Sequence, residues 1–203
     1  MKVEIIDITD SSGSMSCLRN DVIGGFNMLV HDQKEVHGEA RLTHVQFDHE
    51  YKLVYAAKDI QKVDPLNIDT YSPRGCTALL DAIGRTLNEQ GERIHKENWA
   101  DKVIVCIRTD GEENASREYT LPQVKAMIEH AQKHGWVFMF SAANQDAFKS
   151  ARSFGIDPTY TTNYVATGAG MAQSYATASS ALRSLRADPS PNWQAELAKI
   201  RQE

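Results

Sequence analysis

The run Val103-Ile104-Val105-Cys106-Ile107 constrains this chain most, because five consecutive apolar residues leave no polar face for solvent. Such a strand belongs in the middle of a sheet covered on both sides, with parallel neighbours and helices above and below. The rest of the chain supplies those parts. Residues 3–8 form another apolar-rich run that opens into Asp10-Ser11-Ser12-Gly13-Ser14, a strand feeding a loop. Leu18, Val22, Phe26, Leu29 and Val30 then recur at helical spacing up to about Val36, with Gly38 as the stop. Residues 41–47 and 51–56, divided by the turn-like Asp48-His49-Glu50, read as a hairpin. Leu79, Leu80, Ile83 and Leu87 begin an amphipathic helix that continues towards Ile94.

A helix over 122–131 closed by Gly135, a strand over 136–140, a short helix over 146–154 and a strand over 160–165 follow. A long helix rich in Ala and Ser over 169–185 completes the series. Strands alternating with helices predict an α/β fold. The expected architecture is an open, doubly wound, mostly parallel, Rossmann-like sheet with one antiparallel edge strand from the hairpin and helices on both faces. One domain is expected over 1–187, followed by a tail over 188–203 in which residues 193–200 are a candidate short helix.

Charge and cysteine usage narrow the function. The net charge is −5 and no stretch clusters Lys and Arg, which argues against nucleic acid as a partner. No apolar stretch approaches the roughly 18 residues that a membrane span requires, and the start at Met1-Lys2-Val3 lacks a signal pattern. A cytoplasmic location and no membrane partner are therefore expected. Three cysteines without a C-x-x-C spacing fit a reducing compartment; Cys106 reads as core, while Cys17 and Cys76 fall beside the polar loops described next.

In an open parallel sheet, ligands bind beyond the carboxyl ends of the central strands, where successive helices leave in opposite directions. Two loops fall there. One carries Asp10-x-Ser12-x-Ser14 and the other Thr109-Asp110-Gly111, with Gly75-Cys76-Thr77 between them in sequence, just before a helix. Alternate oxygen-bearing residues on a tight loop containing Gly13 can converge on one point, and carboxylate and hydroxyl oxygens are hard donors suited to Mg²⁺ or Mn²⁺. Mg²⁺ takes about six oxygens and rarely all from protein, so positions stay open for water or a ligand. With Ser12, Ser14 and Thr77 bound directly and Asp10 and Asp110 partly behind waters, the ion would stay net positive. A carboxylate from a partner protein is then the natural remaining ligand.

Asp-x-Ser-Gly-Ser-Met, a later Gly-x-Thr and then Thr-Asp-Gly resemble, in that order, the metal-ion-dependent adhesion site of von Willebrand factor A domains. The resemblance spans Val3 to about Arg186. It implies Asp10, Ser12 and Ser14 as the first ligand group, Thr77 as the second and Asp110 as the third, in a domain that binds proteins through a metal and is not an enzyme. The stretches Thr109-Asp110-Gly111-Glu112-Glu113-Asn114 and Ala143-Asn144-Gln145-Asp146-Ala147 look most like compact intracellular bacterial and phage versions. Arg74, Gly75 and Glu112 are the candidate partner contacts at the rim, although Glu112 and Glu113 read more simply as a solvated charge run and Arg74 as a surface arginine of a proline-containing loop.

Strand one departs from the family's unbroken apolar run at Glu4 and Asp7. In a regular strand Asp7 faces away from Asp10, and a buried carboxylate there requires a hydrogen-bond partner or partial exposure. Thr77 has a second possible role as helix N-cap. Two alternatives stand beside the binding module. A Mg²⁺-dependent phosphohydrolase would need a second Asp two residues after the first, yet Thr9 follows Asp7 and Ser12 follows Asp10; no Gly-x-Ser-x-Gly or Gly-x-x-x-x-Gly-Lys motif is present either. The other is a von Willebrand A scaffold whose site stays empty. His130 and His134 are four apart but lack the intervening Glu of a zinc protease, and read as exposed.

Overall fold

Apolar alternation is replaced by apolar residues on both faces in the central strands, and the computed structural model stacks them as expected. It describes residues 1–143, 147–157 and 160–187. The expected start of the short helix at Asp146, the Asn144-Gln145-Asp146 segment and the tail with its candidate helix lie outside the described residues. Six strands order as β3-β2-β1-β4-β5-β6: β1 (Lys2–Asp10), β2 (Glu39–Phe47), β3 (Tyr51–Asp59), β4 (Lys102–Thr109), β5 (Val137–Ala143) and β6 (Thr161–Tyr164). All neighbours are parallel except the β2–β3 hairpin, which supplies the antiparallel edge.

Helices cover both faces. The helices α1 (Arg19–Lys34) and α5 (Gly168–Ala187) pack Val22, Phe26, Leu29, Leu182 and Leu185 against Ile5, Leu42 and Ile104. On the other face, α2 (Leu79–Glu97), α3 (Leu121–Lys133) and α4 (Ala147–Ser153) bring Ile83, Leu87, Val124 and Ile128 to Ile6, Ile8, Val105 and Phe138. Crossovers thus leave in opposite directions at β1 and β4, the arrangement that opens a crevice at their carboxyl ends. Thr120 and Gln123 form a capping box ahead of α3, with Pro122 in its first turn, and Gly135 follows at φ +82°. On the α1/α5 face the two helices touch at Gly25; a Cβ there would stand 2.1 Å from the Tyr175 ring.

The sequence reading of helix one runs to about Val36, whereas α1 ends at Lys34 and is preceded by a 3₁₀ turn over Gly13–Leu18. The 3₁₀ turn arises because the polar loop must swing the chain off the strand end before the helix axis is set.

The two charges on strand one have partners on opposite faces. Glu4 accepts from Thr43 Oγ1 (3.1 Å) and Arg93 Nη2 (2.6 Å). Asp7 is buried on the α1/α5 face, where it accepts from Thr9 Oγ1 (2.7 Å) and Arg108 Nη1 (3.1 Å) and lies 2.9 Å from His44 Nδ1. Arg108 and His44 are themselves 1% and 0% exposed, so the charge network is enclosed in the sheet's central strands, with the buried Arg108 Nε left without a hydrogen-bond partner among the described residues. The Arg108 guanidinium lies 3.7 Å over the Tyr175 ring, and the His44 ring is 4.4 Å from that of Phe26. Burial opposes the Asp7 charge, but the His44 hydrogen bond and the Arg108 cation outweigh it and hold the carboxyl at about 2.

Removing one partner strands the other charge in the core. We expect Asp7→Ala or Arg108→Met alone to destabilise the chain by about 3–5 kcal/mol in urea unfolding, and the paired Asp7→Leu/Arg108→Met replacement to recover most of that loss. Because the native pKa lies below the ordinary 3.8, the Asp7 contribution is complete above about pH 4 and is lost as pH falls towards 2. A wild-type stability that already collapses between pH 6 and 5 through this pair would contradict that account.

Candidate metal centre

The register of β1 and β4, with Thr9 opposite Arg108, ends both strands at the same height. Asp10 and Thr109-Asp110 therefore face one crevice. Asp10 is fully buried; its Oδ1 accepts from the Ser12 backbone N–H (2.7 Å) and its Oδ2 from Thr109 Oγ1 (2.6 Å). Ser14 Oγ donates to Asp110 Oδ1 (2.7 Å) and lies 3.1 Å from Ser12 Oγ. With the Ser14 proton committed, Ser12 is the donor between the two hydroxyls. A Cβ on Gly111 would stand 3.1 Å from Thr77 Oγ1 and 3.7 Å from Ser14 Oγ, so the missing side chain keeps the space between these hydroxyls clear. All five residues singled out from the sequence, Asp10, Ser12, Ser14, Thr77 and Asp110, are thus brought to one crevice from three loops.

Backbone bonds tie those loops together. The Gly13 N–H donates to Gly75 O (3.0 Å), Arg74 N–H to Ser11 O (2.8 Å), and Asn114 and Ala115 N–H both to Thr77 O (3.0 and 3.2 Å). Asn114 Oδ1 accepts from Thr77 N–H (2.9 Å). Two buried tyrosines hold the strand ends from below: Tyr71 donates to Asp10 O (2.7 Å) and Tyr164 to Thr109 O (3.0 Å). Sequence reading missed this support, since Tyr71 and Tyr164 sit in segments with no motif of their own.

Several local roles differ from expectation. Thr77 is not an N-cap: Ala78 occupies that position in α2 without a side-chain bond. Glu113 does the capping, accepting from Leu80 N–H (2.8 Å), Ser116 N–H (2.7 Å) and Ala115 N–H (2.9 Å), so it is not simply solvated. Ser12 stands at the N-cap of the 3₁₀ turn and makes no capping bond either, leaving its hydroxyl to the crevice. Arg74 is held by Asp48 Oδ2 (2.9 Å) and by Glu50. Gly75 has φ +66°, and the His49 ring fills the place of a side chain, 2.1 Å from an ideal Cβ. Glu112 is exposed, as are the thiols of Cys17 and Cys76, while Cys106 is buried. His130 and His134 are exposed.

The donor chemistry fits a hard divalent cation. Two carboxylates and three hydroxyls are oxygen only, and among the described residues no three His, Cys, Asp or Glu side chains gather as a softer metal cluster. Burial pushes the Asp10 carboxyl up to about 6, the Thr109 and Ser12 hydrogen bonds opposing and the nearby Asp110 charge adding to the rise. Burial also raises Asp110, against the Ser14 bond. Both carboxylates thus lack compensating positive charge, which a cation would supply. A cleft of about 800 Å³ between α2 and α3 is lined by Ala100, His130 and Trp136 and carries none of these residues.

The geometry defines a von Willebrand factor A-type fold, a Rossmann-like sheet with a crevice of acidic and hydroxyl side chains at its carboxyl edge. Among solved structures it resembles proximal thread matrix protein 1 from the mussel byssus, determined with a zinc-occupied MIDAS motif (17% identity, TM-score 0.63, 89% of this chain and 46% of that one). It is also similar to the vWF domain of the type V pili tip protein Mfa5 from Porphyromonas gingivalis (13%, 0.65, 89% and 94%) and to the manganese-loaded Plasmodium vivax TRAP protein (15%, 0.61, 81% and 68%). The chain spans less than half the length of the mussel protein. No family model and no curated protein matches the sequence. No helix of the described residues is long and apolar enough to cross a membrane.

The Asp10 shift sets a pH dependence with a defined sign. Without metal, the native state takes up a proton near pH 6 that the unfolded chain takes up only near 3.8, so apo stability rises as pH falls through that window. With saturating Mg²⁺ the carboxylate form is the bound one, and stability should instead fall on acidification. Thermal unfolding at pH 7 and pH 5, with and without 10 to 20 mM Mg²⁺ (about the excess that saturates a weak site), checks this; parallel trends in the two series would refute it.

Proposed function

We propose that this chain is a metal-dependent protein-binding module, in which Asp10, Ser12, Ser14, Thr77 and Asp110 hold Mg²⁺ or Mn²⁺ and the ion receives an Asp or Glu side chain of a partner protein. The observation that carries this reading is the convergence of three neutral hydroxyls and only two carboxylates in one crevice. A bound divalent ion there would supply Lewis acidity towards an incoming carboxylate. Asp10 and Asp110 balance its charge, while Ser12, Ser14 and Thr77 add oxygens without adding charge, so electrophilicity is retained. The zinc-occupied MIDAS motif of the similar mussel structure, and the manganese carried by the Plasmodium one, support divalent-ion chemistry on this fold, without choosing the ion.

Binding accounts for the site better than catalysis. The one buried acid–histidine pair among the described residues, Asp7 with His44, resembles a base and its orienting carboxylate, yet it faces the opposite side of β1, is sealed from solvent and has Gln46 Nε2 3.3 Å from its remaining nitrogen. Arg74 and Gly75 enter this reading as builders of the rim, and Glu112 as its exposed acid. The intracellular bacterial or phage setting, a cytoplasmic location and a single domain over 1–187 belong to the same proposal and rest on the sequence resemblance.

Asp10→Ala and Ser14→Ala are expected to keep the fold and to lose calorimetric Mg²⁺ and Mn²⁺ binding by at least about tenfold, together with partner capture. Partner binding that persists in excess chelator would sink the proposal, and turnover of a generic phosphate ester abolished by Asp10→Asn would replace it with the phosphohydrolase reading.

A further inference from the structure

Beside the crevice lies a groove of about 570 Å³ between the α2 amino end, the loop after β4 and α4. Its floor is Phe140 and Phe154, nearly or fully buried; Leu80 and Leu121, the latter 38% exposed at the rim, form one wall, and Ser150 and Ser153 of α4 the other. That volume falls in the range of sites that take a small ligand or a large side chain, roughly 300–1,000 Å³. The groove and the crevice share a wall: Gly111 lines the groove, and the same residue's absent Cβ would meet Thr77 Oγ1 and Ser14 Oγ. A chain segment that places a carboxylate in the crevice and continues past Gly111 meets the groove's lip, within reach of a few extended residues at about 3.3 Å each.

Charge around the groove distinguishes its occupant from a second acid near the lip. Glu112 is exposed at the junction, whereas the Glu113 carboxylate is consumed by the α2 amino end and the following loop. Lys149 of α4 lines the groove's far side. The apolar floor leaves the immediate neighbour of the crevice suited to neither charge.

Resting on the metal-binding reading above, we infer that the partner is recognised by two side chains together: a carboxylate at the crevice and, within three residues of it, a large apolar side chain such as Leu, Met or Phe seated between Leu80, Leu121 and Phe154. Burial of that side chain supplies the selectivity that a carboxylate alone lacks, because acidic side chains are common on protein surfaces.

The test uses the full chain in Mg²⁺ against a phage-displayed peptide library with a fixed central Asp and four randomised positions on each side, alongside Leu121→Glu, the conservative Leu121→Met and Ser14→Ala. Enriched peptides should carry a large apolar residue within three positions of the Asp. Replacing it with Ser should weaken binding about tenfold or more. Leu121→Glu should remove the apolar preference, and Leu121→Met should keep it. Leu121 is exposed in the first turn of α3, so Glu there is compatible with the helix. Metal-dependent enrichment without an apolar preference, or a preference that Leu121→Glu leaves intact, would overturn this inference while the metal reading stands. Enrichment indifferent to chelator and to Ser14→Ala would instead remove the metal reading and this inference with it.

Discussion

The ion pair between Asp7 and Arg108 is the interaction around which the centre of the sheet is arranged. It spans the β1–β4 pairing at 3.1 Å with both residues almost wholly buried. An enclosed pair of this kind is costly to desolvate and earns its place only when its remaining hydrogen-bonding groups are occupied. Thr9 and His44 satisfy the carboxylate, while the guanidinium rests on the face of Tyr175 with its Nε unbonded among the described residues, so the arginine side of the pair is the less compensated one. The consequence reaches the functional edge: Thr9 and Arg108 face one another in the register that sets Asp10 and Thr109 side by side, so the charge pair and the crevice are fixed by the same alignment. A slip of β4 by one residue would break the pair and turn Asp110 away at once.

The fold was legible from periodicity because each central strand carries apolar residues for both faces, as 103–107 does, while each helix carries a single stripe. The crevice was legible because Asp10, Ser12, Ser14 and Asp110 lie at or just past strand ends, where position follows from topology, while Thr77, just before α2, was legible only through the family resemblance. Asp7 could be read as needing a partner, but not which one: Arg108 is 101 residues away and looks, in sequence, like the start of the loop motif. The role of Glu113 was hidden for a similar reason. It closes the amino end of α2, a helix that begins more than thirty residues earlier, so no local pattern of the capping-box kind announces it. Arg74 was read as a rim cation because sequence shows its charge and not Asp48 and Glu50, which engage it across the turn.

The crevice differs from a catalytic site in where its acid–base groups lie. Its hydroxyls and carboxylates are bonded to one another and to backbone amides, whereas the buried pair of His44 with Asp7 lies on the opposite face of the sheet, and His49, beside Gly75 at the rim, is engaged by Asp48 (3.3 Å). One strand thus separates two polar clusters by the pleat alone: odd-numbered residues 7 and 9 belong to the enclosed network, and even-numbered residue 10 belongs to the open one. The exposed groove beyond Gly111 extends the open side only.

The backbone bonds that tie the three loops, from Gly13 to Gly75, Arg74 to Ser11 and Asn114 to Thr77, require no ion. The loops' entropy is therefore already spent when a cation arrives. Loading would be a socket-filling event whose rate follows how quickly the cation sheds its own water, not how quickly the protein rearranges. An ion with a labile hydration shell would exchange in and out rapidly, and a tightly hydrated one slowly, on a scaffold that stays the same.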